Sequence, residues 1–323
     1  MDGQDTIMSK SVLSLSGVSK SYGGKRAVTN LDLEVPAHSI TGFLGPNGAG
    51  KSTSIRIGLG ILLPDAGEVE LFGQRPNYRV LDRVGFLPEE RGLYRKMKVL
   101  SVIVHFARLK GMKAGDAKAK ALILLDKFEL GDVAHKKVRE MSKGMAQKIQ
   151  IIAAIVHQPE FVILDEPFSG LDPVNQQSLE EMIRELAKQG TTILFSTHVM
   201  EHAERLCDRI VLLSGGRKIF DGDVKQALNT IPNKVILGTD KDVNPSEALG
   251  QLARAIQPMA TESQDVSHWA VQLDAEADVQ DVLRACVRNS LALRSFEPTR
   301  RHLHEVFVNL VGEDVVSEGE ALQ

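Results

Sequence analysis

The sequence predicts an α/β fold with a largely parallel sheet, followed by a small C-terminal α+β domain. Over residues 12–222, short apolar runs rich in β-branched residues alternate with helical patterns, which is the order that builds parallel sheets. After residue 222 the pattern changes to short strands and amphipathic segments in a split β-α-β order. A chain of 323 residues is long enough to bury two separate cores. We therefore expect one domain over residues 1–222 and an accessory domain over residues 223–323.

Five apolar runs of the first domain are predicted to be its strands, because each is short and rich in Val, Ile, Leu and Phe. They span residues 39–44, 83–88, 161–165, 191–197 and 209–214. Between the second and third runs, residues 99–133 follow a helical pattern that Gly111 and Gly115 are expected to interrupt. Residues 175–188 have the pattern of one amphipathic helix. Helices thus separate the central strands.

The second domain is predicted from six segments and a tail. Strands are expected in residues 234–239, 268–275 and 291–296, and helices in residues 245–256, 277–287 and 301–311. His302 and His304 in the last helix are two residues apart and so point to different faces, which argues against a metal site there. The tail, residues 315–323, is expected to be frayed.

Composition excludes several classes of protein. Lys and Arg total 39 against 42 Asp and Glu, so the chain lacks the positive charge with which proteins bind nucleic acids, and no nucleic-acid partner is expected. Cys207 and Cys286 are far apart and suggest neither a disulfide framework nor a zinc site. The longest apolar runs, such as residues 149–156, fall short of the roughly 20 residues that span a bilayer. Any membrane partner is therefore expected to be met from the cytosol.

A phosphate-binding loop follows the first predicted strand. Residues 45–53 match the pattern G-x-x-x-x-G-K-S/T between an apolar run and a helical pattern, which is the context that the motif needs. Glycines in such a loop let successive backbone N–H groups surround a nucleotide phosphate at a helix N-terminus. Lys51 is expected to reach the β and γ phosphates, and the Ser52 hydroxyl to bind Mg²⁺. The predicted nucleotide-binding residues of this loop are Gly45, Pro46, Asn47, Gly48, Ala49, Gly50, Lys51, Ser52 and Thr53.

Two carboxylates and a histidine follow later strands. Asp165 and Glu166 stand at the end of the run 161–165, and the carboxyl edge of an open α/β sheet is where ligands bind. We expect Asp165 to hold Mg²⁺ and Glu166 to act as general base toward the attacking water. His198 follows the run 191–197, where its imidazole is expected either to bond the γ phosphate or to orient Glu166. The predicted catalytic residues are thus Lys51, Glu166 and His198.

These residues, in this order, resemble the ATPase cassette of ABC transporters, a P-loop NTPase fold, over about residues 12–222. The most specific part is Met-Ser-Lys-Gly-Met-Ala-Gln at residues 141–147, which stands where the family has its L-S-G-G-Q signature, in a helical subdomain expected at about residues 90–150. In the family, the signature caps the ATP held by the phosphate loop of the other subunit. The resemblance therefore implies that two copies, or this chain and a homologous ATPase subunit, enclose two ATP molecules.

Further positions are matched by the same resemblance. Tyr22 stands where the family has an aromatic residue that stacks on adenine; a tyrosine at such a place either stacks or only packs. The other matched residues are Ser142, Lys143, Gly144 and Met145 of the signature, and Ser169, Gly170, Leu171 and Asp172 of the loop that joins the two sites.

Two positions depart from the family pattern. The signature has Lys143 and Met145 where the family usually has Gly and Gln. Lys143 either adds positive charge near the γ phosphate of the other subunit or points into water. Glu89 stands where the family has a glutamine that contacts Mg²⁺ and the attacking water. Because a carboxylate can bind this metal, Glu89 is expected to be a metal ligand beside Ser52 and Asp165.

The resemblance implies an ATP-hydrolysing subunit that works beneath a separately encoded membrane permease, at the cytoplasmic face of the cell membrane. Segments 87–94 and 142–148 resemble the sodium-exporter (NatA-like) branch of these ATPases, which implies export of Na⁺ or a drug. The loop over residues 86–98 either docks on the permease or is an ordinary solvated face. Its basic residues are Arg91, Arg95, Lys96 and Lys98.

Two other interpretations remain open. One is a soluble ABC ATPase that acts on ribosomes or DNA. Such proteins, as the family implies, usually carry two cassettes in one chain or a long coiled-coil insertion, and this sequence has neither. The other is that the C-terminal domain regulates hydrolysis by binding a ligand or a partner, which is compatible with transport.

Overall fold

The computed structural model describes residues 11–90, 92–260, 265–274 and 277–320, with side chains up to residue 312. The chain divides into two compact units, one that ends at Val224 and one that begins at Lys225. Each unit has a hydrophobic core of its own. Within the described ranges, no helix is both long enough and apolar enough to cross a membrane.

The first unit consists of two sheets and the helices that connect their strands. Its strands are β1 (Ser11–Tyr22), β2 (Lys25–Pro36), β3 (Ile40–Leu44), β4 (Ala66–Leu71), β5 (Val84–Leu87), β6 (Phe161–Asp165), β7 (Thr192–Thr197), β8 (Arg209–Ser214) and β9 (Arg217–Asp223). Its α-helices are α1 (Lys51–Gly58), α2 (Tyr78–Leu81), α3 (Val99–Leu109), α4 (Ala114–Lys127), α5 (Lys143–Ile155), α6 (Pro173–Lys188) and α7 (Met200–Leu206), with short 3-10 turns at Gly131–Val133 and Val138–Glu140.

A six-stranded sheet in the order β5-β6-β7-β3-β8-β9 forms the centre of this unit. Its first five strands are parallel, and β9 pairs antiparallel with β8. Strands β3, β6 and β7 are buried along their whole length, which explains why they are continuous apolar runs in the sequence. The parallel strands are the five predicted from the sequence, and α6 covers the predicted helix 175–188. The predicted α/β fold is confirmed.

The register of the parallel strands aligns their carboxyl ends. Leu44 of β3 lies opposite Thr197 of β7, and Asp165 of β6 lies opposite Ser196 of β7. The segments that follow these three strands therefore start from the same edge of the sheet, where open parallel sheets bind their ligands.

Helices α3 and α4 lie between β5 and β6, where the sequence predicts interruptions at Gly111 and Gly115. The one at Gly111 is confirmed, because α3 ends at Leu109 and Gly111 has a φ of +83°, a left-handed conformation that favours glycine after a helix. The one at Gly115 is wrong, because Gly115 is the second residue of α4. Glycine lowers the helix propensity but does not by itself end a helix, and α4 continues to Lys127.

The second sheet of this unit is antiparallel, with the order β2-β1-β4. Its apolar side chains share one core with the central sheet, since Leu15 and Leu33 belong to the same cluster as Phe43 and Phe161. Neither these three strands nor β9 were predicted from the sequence. The turn between β1 and β2 follows Tyr22.

The second unit has a four-stranded sheet. After α8 (Val224–Leu228) its elements are β10 (Lys234–Asp240), α9 (Ser246–Leu249), a 3-10 turn (Gly250–Leu252), β11 (Ala253–Met259), β12 (Val266–Leu273), α10 (Val279–Arg288), β13 (Leu293–Thr299) and α11 (Leu303–Glu320). The strand order is β11-β12-β10-β13, with neighbours antiparallel. This is the β-α-β-β-α-β arrangement of a split β-α-β domain, and the predicted α+β class is confirmed.

Two predictions for this unit need comment. The helix predicted over residues 245–256 is wrong beyond Leu249, because Gly250 has a φ of +51° and β11 begins at Ala253. Ile256 of β11 packs against the apolar core of the sheet, so strand pairing overrides the local helical pattern.

Ala275 of the predicted strand 268–275 lies outside the described residues. Helix α11 extends to Glu320, and residues 321–323 of the predicted frayed tail are also outside them.

Candidate nucleotide-binding site

The phosphate-binding loop connects β3 to α1. Gly45, Gly48 and Gly50 all have positive φ angles. A Cβ atom on Gly45 would lie 2.4 Å from the carbonyl oxygen of Leu213, and one on Gly50 would lie 2.5 Å from that of Ala27. These two glycines are therefore required both by backbone conformation and by space.

Lys51 is the first residue of α1, and its side chain is buried. Its Nζ donates hydrogen bonds to the carbonyl oxygens of Gly45, at 2.7 Å, and Pro46, at 3.2 Å. The same nitrogen lies 3.3 Å from Oε1 of Glu166. The ammonium group is thus held inside the loop, on the side of the carboxylate that ends β6.

Asp165 and Ser52 bring oxygen atoms together beside this ammonium group. Ser52 Oγ donates to Asp165 Oδ1 at 3.2 Å. Ser196 Oγ donates to the same carboxylate oxygen, a contact that was not predicted although Ser196 lies in the predicted strand 191–197. Hydroxyl and carboxylate oxygens are the donors that Mg²⁺ prefers, so this pair fits that metal.

Glu166 has the most constrained backbone of the site. It is buried, and its φ of 48° is left-handed, an uncommon conformation for a residue other than glycine. Its N–H donates to Ser196 Oγ at 3.0 Å, and Oε2 lies 3.0 Å from Nδ1 of His198. Oε1 has no hydrogen-bond donor within the described part of the chain. That oxygen instead faces the Lys51 ammonium group at 3.3 Å. A buried carboxylate on a strained backbone is typical of a catalytic group.

A cavity of 420 Å³ connects the loop with residues from elsewhere in the unit. Tyr22, Glu89 and Glu166 line it, as do Asn47, Gly48, Gly50, Lys51, Ser52 and Thr53. Five predicted site residues do not line it: Gly45, Pro46, Ala49, Asp165 and His198. Apart from Ala49, each of them forms a hydrogen bond with Lys51, Ser52 or Glu166, which do line the cavity. Lys25 and Arg26 also line the cavity and were not predicted. The Gly23-Gly24 turn was the available signal, because it returns Lys25 to a place opposite Tyr22.

A larger cavity of 630 Å³ lies at the opposite edge of the sheet, where the strands begin, beside His38, Glu160 and Thr192. The phosphate-binding loop and the carboxylates Asp165 and Glu166 are absent from its lining among the described residues. We therefore place the candidate site in the smaller cavity.

The signature segment lies at the start of α5, away from this cavity. Ser142 caps the helix by accepting a hydrogen bond from the backbone N–H of Met145, one of the first-turn N–H groups that have no intrahelical partner. A Cβ atom on Gly144 would lie 2.4 Å from Oδ1 of Asn175. Lys143 is exposed, and none of the residues 142–145 is among those lining the cavity.

The predicted inter-site loop, residues 169–172, lies between β6 and α6 and directly precedes α6. Ser169 and Gly170 are exposed, Leu171 is half-buried, and Asp172 caps α6 by accepting from the N–H and the side chain of Asn175. These bonds from Asn175 hold the pKa of Asp172 below its usual value.

The loop over residues 86–98 borders a groove of 290 Å³ lined by apolar side chains such as Leu87, Leu93 and Phe106. Of its basic residues, Arg95, Lys96 and Lys98 are exposed. Arg91 lies outside the described residues.

Comparison with known sequences gives consistent matches. A family model described as ABC transporter matches residues 28–169. The ATP-binding protein YhaQ of Bacillus subtilis, described as an uncharacterized ABC transporter protein, is 38% identical over 93% of this chain and 99% of its own. Daunorubicin resistance ATP-binding protein DrrA3 of Streptomyces coeruleorubidus is 34% identical over 95% and 98% of the two chains. Nod factor export ATP-binding protein I of Rhizobium sp. (strain N33) is 32% identical over 95% and 99%.

Solved structures match about two thirds of the chain. The structure of an ATP-binding subunit of an ABC transporter superimposes with a TM-score of 0.63 at 29% identity, covering 68% of this chain and 92% of the other. The dimeric structure of the bacterial cassette MJ0796 matches with a TM-score of 0.60 at 24% identity, over 66% and 98% of the chains. The second of these likenesses shows the fold alone.

Proposed function

Because this chain belongs to the family of ABC transporter ATP-binding proteins, we propose that it hydrolyses ATP between two copies of itself, or with a homologous subunit, to power export through a membrane permease. The observation that carries the proposal is the convergence of Lys51, Asp165, Glu166 and His198 at one edge of the sheet. Each of these groups has the chemistry that phosphoryl transfer to water requires.

The catalytic contribution of the chain is mostly positional and electrostatic. Lys51 stabilises charge on the β and γ phosphates, which the loop holds through its backbone N–H groups. Glu166 accepts a proton from the attacking water, and His198, at 3.0 Å from Oε2, keeps that carboxylate in place. Tyr22, at the rim of the same cavity, stacks on adenine.

Ser52, Asp165 and Glu89 form the proposed Mg²⁺ site. The first two converge at 3.2 Å, and Glu89 lines the same cavity as Ser52. When bound, the metal neutralises charge on the β and γ phosphates. Glu89 replaces a neutral amide of the family by a carboxylate, so this site binds the metal with one more negative charge.

Two chains are needed because one chain leaves the site incomplete. The signature residues Ser142, Lys143, Gly144 and Met145 stand at a helix N-terminus whose N–H groups suit an anion, yet they are outside the cavity of their own chain. A second chain placed head to tail supplies them, and the loop 169–172 joins the two sites. ATP binding then closes the dimer, and hydrolysis removes the γ-phosphate contacts and reopens it.

The permease contacts the cassette at the loop over residues 86–98. An apolar groove beside exposed Arg95, Lys96 and Lys98 fits an amphipathic segment with acidic residues. This contact holds the chain at the cytoplasmic face of the cell membrane. The names of two relatives, for daunorubicin resistance and for Nod factor export, support export. We propose Na⁺ or a drug as the cargo.

ATP hydrolysis and transport in inside-out membrane vesicles test this proposal, with the co-expressed permease present or absent and with Na⁺ and several amphiphilic drugs as cargo. We expect the permease to raise hydrolysis and one cargo to move only with ATP. A rate of ATP hydrolysis that is unchanged by the permease but altered by ribosomes or DNA would contradict the proposed transport function. That alternative is not favoured, because the relatives above are named for an ABC transporter, for daunorubicin resistance and for Nod factor export.

A further inference from the structure

The loop between Glu166 and Asp172 is held by an aromatic stack. Phe168, in the middle of this segment, is buried, and its ring lies flat on the imidazole of His202, with centroids 3.9 Å apart and planes at 14°. The rings of Phe168 and Phe195 of β7 meet in an edge-to-face arrangement, with centroids 5.9 Å apart and planes at 82°. Phe168 is therefore held on one face by His202 and, through the contact with Phe195, by the central sheet.

An ion-pair cluster holds His202 in turn. His202 is buried in α7, and its Nδ1 lies 2.9 Å from Oε1 of Glu180 in α6. Arg205 donates to the same carboxylate at 2.7 Å. Burial acts to raise the pKa of Glu180, but the hydrogen bonds from Arg205 and His202 outweigh it and leave this pKa below its usual value. Glu180 is therefore charged at neutral pH, and a buried charge of this kind keeps its partners in one geometry.

The loop has a second anchor on the signature helix. The carbonyl oxygen of Pro167 accepts a hydrogen bond from Gln147 Nε2 at 3.0 Å. Gln147 belongs to α5, the helix that Ser142 caps. Between the two anchors, Leu171 N–H donates to the carbonyl oxygen of Phe168 at 3.2 Å. The segment that follows Glu166 is thus attached to α5 through Pro167 and to α7 through Phe168.

We propose that His202 is a positioning residue for ATP hydrolysis: its ring fixes Phe168 and, through it, the segment that joins Glu166 to the inter-site loop 169–172. The proposal rests on the proposed function, in which Glu166 is the general base and residues 169–172 reach the second site. The ring of His202, and not its bond to Glu180, is the feature that acts, because only the ring contacts Phe168. Glu180 keeps Arg205 as a partner when His202 is replaced.

Two substitutions at one position separate these features. His202→Phe keeps a flat ring against Phe168 and loses the bond to Glu180, whereas His202→Gln keeps a hydrogen-bonding group for Glu180 and loses the ring. We expect His202→Gln to lower kcat about tenfold, since small displacements of a catalytic group are costly, with the Kd for a fluorescent ATP analogue within about twofold of the unmodified chain. His202→Phe is expected to stay within about threefold of normal kcat.

Phe168→Leu removes the same stack from the other side and is expected to match His202→Gln, which keeps the test available if one variant does not fold. Glu201→Gln is the matched control on α7, because Glu201 is exposed and pairs only distantly with Arg205, at 3.8 Å. Normal kcat for His202→Gln and Phe168→Leu, or a loss in His202→Phe as large as in His202→Gln, would overturn the proposal.

Dimerisation gives a readout that does not depend on turnover. In the Glu166→Gln background, adding His202→Gln is expected to weaken ATP-dependent dimerisation in size-exclusion chromatography, whereas adding His202→Phe leaves it unchanged. If Glu166→Gln alone fails to dimerise with ATP, the ATP-dependent dimer of the proposed function is contradicted. If Glu166→Gln dimerises and His202→Gln changes neither dimerisation nor kcat, the positioning role of His202 is excluded while the proposed function stands.

Discussion

Glu166 is the residue whose replacement separates ATP binding from hydrolysis. Gln keeps the size of the side chain but is not a base, so Glu166→Gln is expected to lower hydrolysis by at least about a hundredfold. ATP binding is expected to persist, because Lys51 and the phosphate-binding loop are unchanged. Phosphate release and binding of a fluorescent nucleotide measure the two properties. Rapid hydrolysis by this variant would show that Glu166 is not the base.

Glu89 tests how an acidic residue works at a position where the family has an amide. It lines the same cavity as Ser52 and Glu166, and we expect Glu89→Ala to lower hydrolysis about tenfold and to raise the Mg²⁺ concentration needed for half-maximal activity. The measurement is an Mg²⁺ titration of ATPase activity. Glu90→Ala is the matched control, since Glu90 is also exposed but is not among the residues lining the cavity. Identical titrations for Glu89→Ala and the unmodified chain would exclude a metal-binding role.

At the scale of single residues, the grouping of the site residues was predictable from the sequence, whereas several of the residues that contact them were not. Phosphate binding requires Gly and Lys at fixed spacing, so the placement of Lys51 beside Glu166 followed from the sequence. The contact of Ser196 with Asp165 depends on which strands are neighbours in the sheet, and local pattern does not give that order. Likewise, the side chain of Asn175 approaches Gly144 from another helix, a contact between elements that local pattern does not give.

At the scale of elements, the packing of α5 against β5 makes stability depend on pH. His157 follows α5, and its Nε2 donates to the carbonyl oxygen of Val84 in β5 at 3.3 Å. Burial lowers the pKa of His157 from 6.5 to about 4, and the charge of Lys110 acts in the same direction. The folded chain therefore keeps His157 neutral at a pH where the unfolded chain protonates it. The stability that results is present above pH 6.5 and is lost as the pH falls toward 4.

We expect His157→Gln to remove this dependence, because the amide can still donate to Val84 but does not titrate. Between pH 7 and pH 4.5, the free energy of unfolding of the unmodified chain should fall by about 2 kcal/mol more than that of the variant. Urea unfolding at the two pH values measures this difference. His135→Gln is the control, because His135 is exposed and should leave the loss unchanged. An equal loss in His157→Gln would contradict the assignment.

Elements were predicted well where burial is uniform and poorly where it is mixed. The five parallel strands lie in the central sheet and are largely buried, so each is an apolar run. Strand β2 has a different signal, strict alternation of buried Leu31, Leu33 and Val35 with exposed Asp32 and Glu34. This alternation indicates a half-exposed strand, although no strand was predicted there. Strand β11 has no clear local signal, and its pairing with β12 decides its conformation.

For the whole molecule, two separate cores predict that the cassette does not need the second unit in order to fold. The described core residues of the first unit all precede Val224, so a chain cut after Val224 is expected to stay folded and to bind ATP with a Kd within about threefold of the full chain. Circular dichroism and nucleotide binding test this. A regulatory role for the second unit would then show as a changed rate of hydrolysis in the truncated chain, and an unfolded product would contradict the separation of the cores.

The central claim is that each ATP site is built from two chains, and mixing two inactive variants tests it most directly. Lys51→Ala disables a phosphate-binding loop, and Ser142→Arg disables a signature. In a head-to-tail dimer of one variant with the other, both defects fall in the same site and the second site is intact. Since half of the dimers are mixed, we predict that the mixture recovers up to about a quarter of normal ATPase activity. A mixture as inactive as its two components would contradict the account.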